Sequence, residues 1–184
     1  VKGIIAALIF FLSSSTWALT RLQLDQVSNF SVDDGARLNR ITRNLETVIN
    51  SVHFRNLVLE HSFKAQKTFH LNNGDINERV YSRIMSGEET RNVISDGVWN
   101  LNLRLKFIFS PSTIAYTTVG SPMINISRRY WRVSSDAKMA GTICHEYMHK
   151  VGYVHSFNAT PDRPFTVPYG IGSICETVYS NLVK

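Results

Sequence analysis

The residues with chemical potential lie in one run, Cys144-His145-Glu146-Tyr147-Met148-His149-Lys150-Val151-Gly152-Tyr153-Val154-His155, which reads H-E-x-x-H-x-x-G-x-x-H. On a helix, His145 and His149 project from one face, because residues four apart lie above one another. Their imidazoles can then share a Zn²⁺ at roughly 2.0–2.1 Å. Glu146 follows the first ligand and sits beside the metal without binding it. A carboxylate there can take a proton from a metal-activated water and hand it to a leaving amine. Gly152 allows a sharp turn, since glycine adopts positive φ without steric cost. The turn brings back His155 as a third ligand. Three protein ligands leave a fourth position open, the pattern of a catalytic rather than a structural zinc site.

Such a run needs a long helix and a sheet to hold it. Ser134, Ser135 and Asp136 supply helix-start chemistry, and the spacing predicts a helix over about 135–151. Its core face should carry Ala140, Ile143, Cys144, Tyr147 and Met148. Upstream, Leu38, Ile41, Leu45, Val48, Ile49 and Val52 recur at helical spacing and predict a helix over about 35–52, with Asp33 and Asp34 at its start. Trp99, Leu101, Leu103, Leu105, Phe107 and Phe109 alternate with Asn100, Asn102, Arg104 and Lys106, the pattern of a half-buried strand over 99–109. Further strands are expected at Leu57–Leu59, at 65–71 before the turn Asn72-Asn73-Gly74-Asp75, at Thr113–Val119 and at Met123–Ser127. Ile76 to Met85 has a weak helical pattern that Gly87 stops. A last helix is expected over about 173–182. Residues 19–33 read as an extended lead-in or a short pro-segment.

The 184 residues suffice for one domain with a real core. Lys2, the apolar run Gly3–Leu12 and Thr16-Trp17-Ala18 predict a secretory signal peptide over 1–18, cleaved after Ala18. The apolar run is short for a membrane span and no second one follows. The formal net charge is +6, or +5 without Lys2, which favours acidic surfaces. Arg128, Arg129 and Arg132 surround Tyr130 and Trp131, but no nucleic-acid motif accompanies them, so a solvated basic rim is the reading. His53, His61 and His70 have no ligand spacing. Three Asn-x-Ser/Thr triplets, at Asn29, Asn125 and Asn158, match the glycosylation pattern. Glycans at the last two would obstruct the expected cleft, which favours a bacterial setting.

From His145 to His155 the motif resembles that of the metzincin clan of zinc peptidases. The resemblance covers about a dozen residues and implies a fold: a twisted mixed sheet above the zinc helix and a small irregular C-terminal part below it. It implies that His145, His149 and His155 bind zinc and that Glu146 is the general base and acid. Thr113–Val119 and Met123–Ser127 occupy the chain position of the strands lining the metzincin cleft, where an edge strand would hold a peptide substrate extended. Metzincins carry a methionine turn after the third histidine, and here no methionine follows Met148. Thr166–Gly172 is the nearest candidate, expected as a tight turn, and it resembles the tail of small secreted bacterial metallopeptidases with the same histidine motif. Its Tyr169 either packs beneath the metal or points its hydroxyl at it.

Two further alternatives stand. Glu176 could replace His155 as third ligand, as in zinc peptidases whose glutamate comes from a later helix, but Gly152 then has no purpose. Cys144 and Cys175, the only cysteines, are expected to be bridged in an oxidising compartment, or else are two buried thiols. The expectation as a whole is an α+β, zincin-like single domain over 19–184, with an upper part to about 152 and a lower part from 153. It is a secreted or periplasmic zinc endopeptidase, monomeric, acting on protein or peptide and not on nucleic acid. The alternatives are a zinc hydrolase of a non-peptide envelope amide and a non-catalytic zinc-stabilised binding protein.

Overall fold

The computed structural model describes residues 19–63, 76–118, 120–156 and 158–182. The expected leader, the strand expected at 65–71, the turn Asn72–Asp75 and His70 lie outside the described residues. The architecture is α+β. In chain order the elements are β1 (Arg21–Ser28), α1 (Val32–Ile49), α2 (Val52–Glu60), α3 (Asn77–Ser86), β2 (Val98–Lys106), β3 (Ala115–Tyr116), β4 (Met123–Ser127), α4 (Arg128–Val133), α5 (Asp136–Val151), a 3₁₀ turn (Arg163–Phe165) and α6 (Val167–Leu182).

The sheet order is β1-β2-β4-β3. β1 and β4 flank β2 in parallel, and β3 runs antiparallel to β4 at the edge. The segment expected as a lead-in or pro-segment is therefore partly a sheet strand. Arg21 pairs with Val98 and Ser28 with Arg104, around an irregularity between Leu24 and Gln26. The central strand buries Trp99, Leu101, Leu103 and Leu105, as its alternation predicts. It stops at Lys106, opposite Ser127 of β4. Phe107 and Phe109 lie beyond the ladder and are 71% and 92% exposed, not buried as expected.

α1 starts earlier than expected, because Ser31 and Asp34 form a reciprocal capping box. It ends at Ile49, and Ser51 caps a new helix by accepting from the Phe54 amide. Leu57–Leu59 is part of that helix rather than a strand. Phe54 and Val58, four apart, are its buried pair, so helical spacing outweighed the apolar triplet. The strand expected over Thr113–Val119 pairs only at Ala115 and Tyr116. Arg128–Val133, read as basic rim, is a short helix with Trp131 buried.

α6 begins at Val167, about two turns earlier than expected. Thr166–Gly172 thus opens a helix and is not a tight turn. Proline is tolerated in a first helical turn, where amides have no helical partner anyway. The Gly170 amide donates to the Thr166 carbonyl at 2.7 Å. α6 packs along α5 through Gly141 and Gly172 and is bridged to it by Cys144–Cys175, the expected disulfide.

Candidate metal centre

Both ends of α5 are fixed before its histidines are considered. At its start, Ser135 accepts from the Lys138 amide, and Asp136 pairs with Arg37 at 2.8 Å and Arg40 at 2.9 Å, both from α1. Burial raises the Asp136 pKa, but the two guanidinium partners hold it below the usual value. Arg37 also donates to the carbonyls of Trp131 and Ser134. Near the other end, Lys150 is buried and pairs with Glu89 at 3.0 Å. Its ammonium also donates to the Asn100 carbonyl of β2. The Lys150 carbonyl accepts from the amide and hydroxyl of Thr90, each at 2.9 Å. Tyr147 stacks on Trp99 at 4.0 Å. The expected core face of α5, Ala140, Ile143, Cys144, Tyr147 and Met148, is fully buried.

α5 ends at Gly152, whose φ is 111°. The Tyr153 amide donates to the Met148 carbonyl at 2.9 Å and the Gly152 amide to the His149 carbonyl at 3.2 Å, the two bonds of a Schellman cap. This turn returns His155 to the helix, as the position of Gly152 predicts. The rings of His145, His149 and His155 then lie 5.0–5.1 Å apart, centroid to centroid. Among the described residues they form the one histidine, cysteine or carboxylate group able to share an ion, with ligand atoms within 4.8 Å of one another. Glu176, the rival ligand, is not in it. Its carboxylate pairs with Lys138 at 3.0 Å.

The hydrogen bonds around the three rings set their tautomers. His149 donates from Nδ1 to the Tyr153 carbonyl at 2.7 Å, and His155 from Nδ1 to the Ser156 carbonyl at 2.9 Å. The Pro168 carbonyl at the start of α6 also accepts from the His145 ring. Each ring with its Nδ1 proton outside carries a bare lone pair at Nε2. Yet Nε2 of His145 and Nε2 of His155 face each other at 3.2 Å. At that spacing the two nitrogens share either a proton or, when both are unprotonated, a cation. For ligand nitrogens at roughly 2.0–2.1 Å from a tetrahedral Zn²⁺, the expected nitrogen–nitrogen spacing is about 3.3 Å. The three histidines are therefore a set that a metal ion could share, and carbonyls behind metal-binding imidazoles are the usual orienting partners.

The electrostatics agree. Burial depresses the His145 pKa well below the ordinary value, with the His149 and His155 charges adding to it. Burial takes His149 to about 4 and also lowers His155. Neutral imidazole is the form that binds metals.

Glu146 is 4% exposed, and burial raises its carboxyl to a pKa of about 7. Thr117, just past the edge strand β3, approaches with its amide and hydroxyl and opposes that rise. Thr117 Oγ1 and Glu146 Oε2 are nonetheless both buried without a formed hydrogen bond, so the approach is loose. A buried carboxylate oxygen without a partner is costly and commonly marks a working group.

Tyr169 lies in the first turn of α6, and its ring meets those of His145 at 4.5 Å and His155 at 4.8 Å. Of the two expected roles, these contacts are packing ones. The Arg163 guanidinium covers the Tyr169 ring at 4.8 Å, and its charge helps to depress His145 and His155. Arg163, Thr117 and the Pro168 carbonyl are site groups that the motif does not announce. They come from other elements; Pro168 had a signal in its place in the Thr166–Gly172 segment and Thr117 in the expected cleft strand Thr113–Val119, while Arg163 had none. Of the remaining histidines, His53 is exposed and His61 packs on Phe63 at 4.4 Å, apart from the triad.

No protein-family model, curated protein or solved structure matches the chain.

Proposed function

We propose that the chain is a zinc-dependent endopeptidase of metzincin-like fold, exported to an oxidising compartment. The observation that carries the reading is the convergence of His145, His149 and His155, with Nε2 of His145 and Nε2 of His155 3.2 Å apart. The Cys144–Cys175 bridge supports an oxidising compartment, and among the described residues no helix is long and apolar enough to cross a membrane.

His145, His149 and His155 would hold the zinc, which when bound supplies a Lewis acid that polarises a carbonyl and lowers the pKa of water toward ~7. The chain's own residues do the rest. Glu146, adjacent to the first ligand and desolvated, accepts the proton of the attacking water and delivers it to the departing amine. Tyr169 and the Pro168 carbonyl hold the His145 ring in place. Among the described residues β3 has a neighbour on one side only, and its outer edge would pair with an extended peptide. Thr117, one residue past β3, links that edge to Glu146.

The test is incubation of the purified protein with a panel of unfolded proteins, with and without a chelator. Chelator-sensitive cleavage supports the reading. Zinc-dependent release from non-peptide amides alone would place the same centre on an envelope substrate. Stoichiometric zinc without hydrolysis would make it structural.

A further inference from the structure

The three parallel strands end together, and the segments leaving them form one end of the molecule. Lys106 pairs with Ser127, so Phe107 and Arg128 leave the sheet side by side. Ser28 pairs with Arg104 at the same end. Between Asp96 and Asp136 the chain holds five basic residues, Arg104, Lys106, Arg128, Arg129 and Arg132, and no carboxylate. All five are exposed. Among the described residues, none of Arg104, Lys106, Arg128 and Arg129 has a carboxylate partner.

Out of this basic end projects an apolar tip. Phe107 and Phe109, 71% and 92% exposed, pack on each other edge to face at 5.0 Å and not on the core. Val32, where the chain leaves β1 for α1, is 91% exposed. The carboxylates near this end are Asp33 and Asp34 at the start of α1 and Asp136 just past α4, the last paired with Arg37 and Arg40. Asp34 is occupied by Ser31 and by the Trp131 indole at 2.7 Å, and it also draws on Arg132. With Asp136 neutralised by Arg37 and Arg40, Asp33 and Asp34 are outnumbered by the five exposed cations, which leaves the end positive.

We infer that this end docks on an anionic lipid bilayer, with Phe107 and Phe109 entering the headgroup–acyl boundary and Arg104, Lys106, Arg128 and Arg129 held at the phosphates. Exposed aromatics within a cationic ring match such an interface in both respects. A nucleic acid would use the cations but leaves two projecting phenyl rings without base-stacking partners in a duplex. The tip also leads through Ser110–Ile114 into the edge strand β3.

The experiment is co-sedimentation of the full chain with vesicles. One set is phosphatidylcholine with phosphatidylglycerol; the other is phosphatidylcholine alone. Binding is expected to the anionic vesicles only and to weaken as salt rises. Phe107→Ser with Phe109→Ser, and separately Arg128→Gln with Arg129→Gln, should each lower it at least tenfold at an unchanged thermal midpoint, since all four side chains are exposed. Absence of anionic-vesicle binding, or binding that ignores both double variants, overturns the inference. So does duplex DNA binding of equal strength that the phenylalanine variant leaves intact, which would make the end a nucleic-acid surface.

Discussion

Gly141 of α5 and Gly172 of α6 touch backbone to backbone. A Cβ on Gly172 would stand 2.9 Å from the Gly141 carbonyl oxygen and 3.1 Å from the Cβ of His145. A Cβ on Gly141 would stand 2.7 Å from the Gly172 oxygen. Three residues further along each helix come Cys144 and Cys175, bridged. The absence of two side chains thus sets how closely α6 brings Tyr169 and the Pro168 carbonyl to the first histidine. Gly172→Ala is expected to destabilise the protein by about 1–3 kcal/mol, the usual range for overpacking. It should also weaken metal binding by displacing His145. Denaturant unfolding and a competitive zinc titration of the same variant report the two effects, and undiminished zinc affinity would refute the positioning argument.

Glu146→Ala should keep the fold and the metal while hydrolysis falls roughly 10²–10⁴-fold, the usual contribution of general acid–base assistance. Metal content measured beside single-turnover cleavage separates the two. Parental rates in a metal-loaded mutant would end the peptidase reading.

His155→Ala is expected to lose most bound zinc, and Glu176→Ala to retain it, since Glu176 is engaged by Lys138. Elemental analysis after dialysis distinguishes them. The reverse pattern would assign the third ligand to α6.

The three histidines should destabilise the metal-free protein as pH falls, while Glu146, whose folded-state pKa of about 7 lies above its ordinary value, acts in the opposite sense over the same range. The folded-state pKa of His149 is about 4, below the ordinary 6.5, so the unfolded chain binds the proton first. The penalty begins near pH 6.5 and grows until about pH 4. For His149 alone it amounts to about 2 kcal/mol between pH 7.5 and 5. His145 and His155 shift in the same direction and add to it. Urea midpoints of chelated Glu146→Gln protein at the two pH values isolate the histidine loss. Saturating zinc should shift the loss to lower pH, because protons must then compete with the ion.

Thiol titration of denatured, unreduced protein should find no free thiol. Replacing both Cys144 and Cys175 with alanine should cost roughly 3–4 kcal/mol on the chain-entropy model, for a loop of 31 residues. Two titratable thiols would remove the bridge.

What was legible in the chain was local. His145, His149 and the buried face of α5 follow from helical spacing, and the return of His155 from one glycine. The Trp99–Leu105 alternation marks the central strand for the same reason. What was illegible depends on distant partners. β1 has weak alternation of its own and becomes a strand because β2 lies alongside it. Phe107 and Phe109 continue the alternation of β2, but their neighbours β1 and β4 have already ended. The glycines and proline of Thr166–Gly172 suggest a turn, yet Gly170 and Gly172 are pressed against His61 and His145, where a helix with side chains would not fit. Thr117 meets Glu146 through tertiary packing, which no spacing encodes.

The parallel pairing of Arg21 with Val98 has a consequence for how the molecule is made. β1 is synthesised first and must wait while three helices are added before its partner exists. Closing so long an interval costs entropy only logarithmically, but pairings between distant residues slow folding. Until β1 is seated, β2 presents an open edge lined with Trp99, Leu101 and Leu103, the kind of edge that recruits other chains. The vulnerable moment in the life of this protein is therefore the docking of its first-made strand. A cut inside β1, between Arg21 and Ser28, would prolong that moment indefinitely.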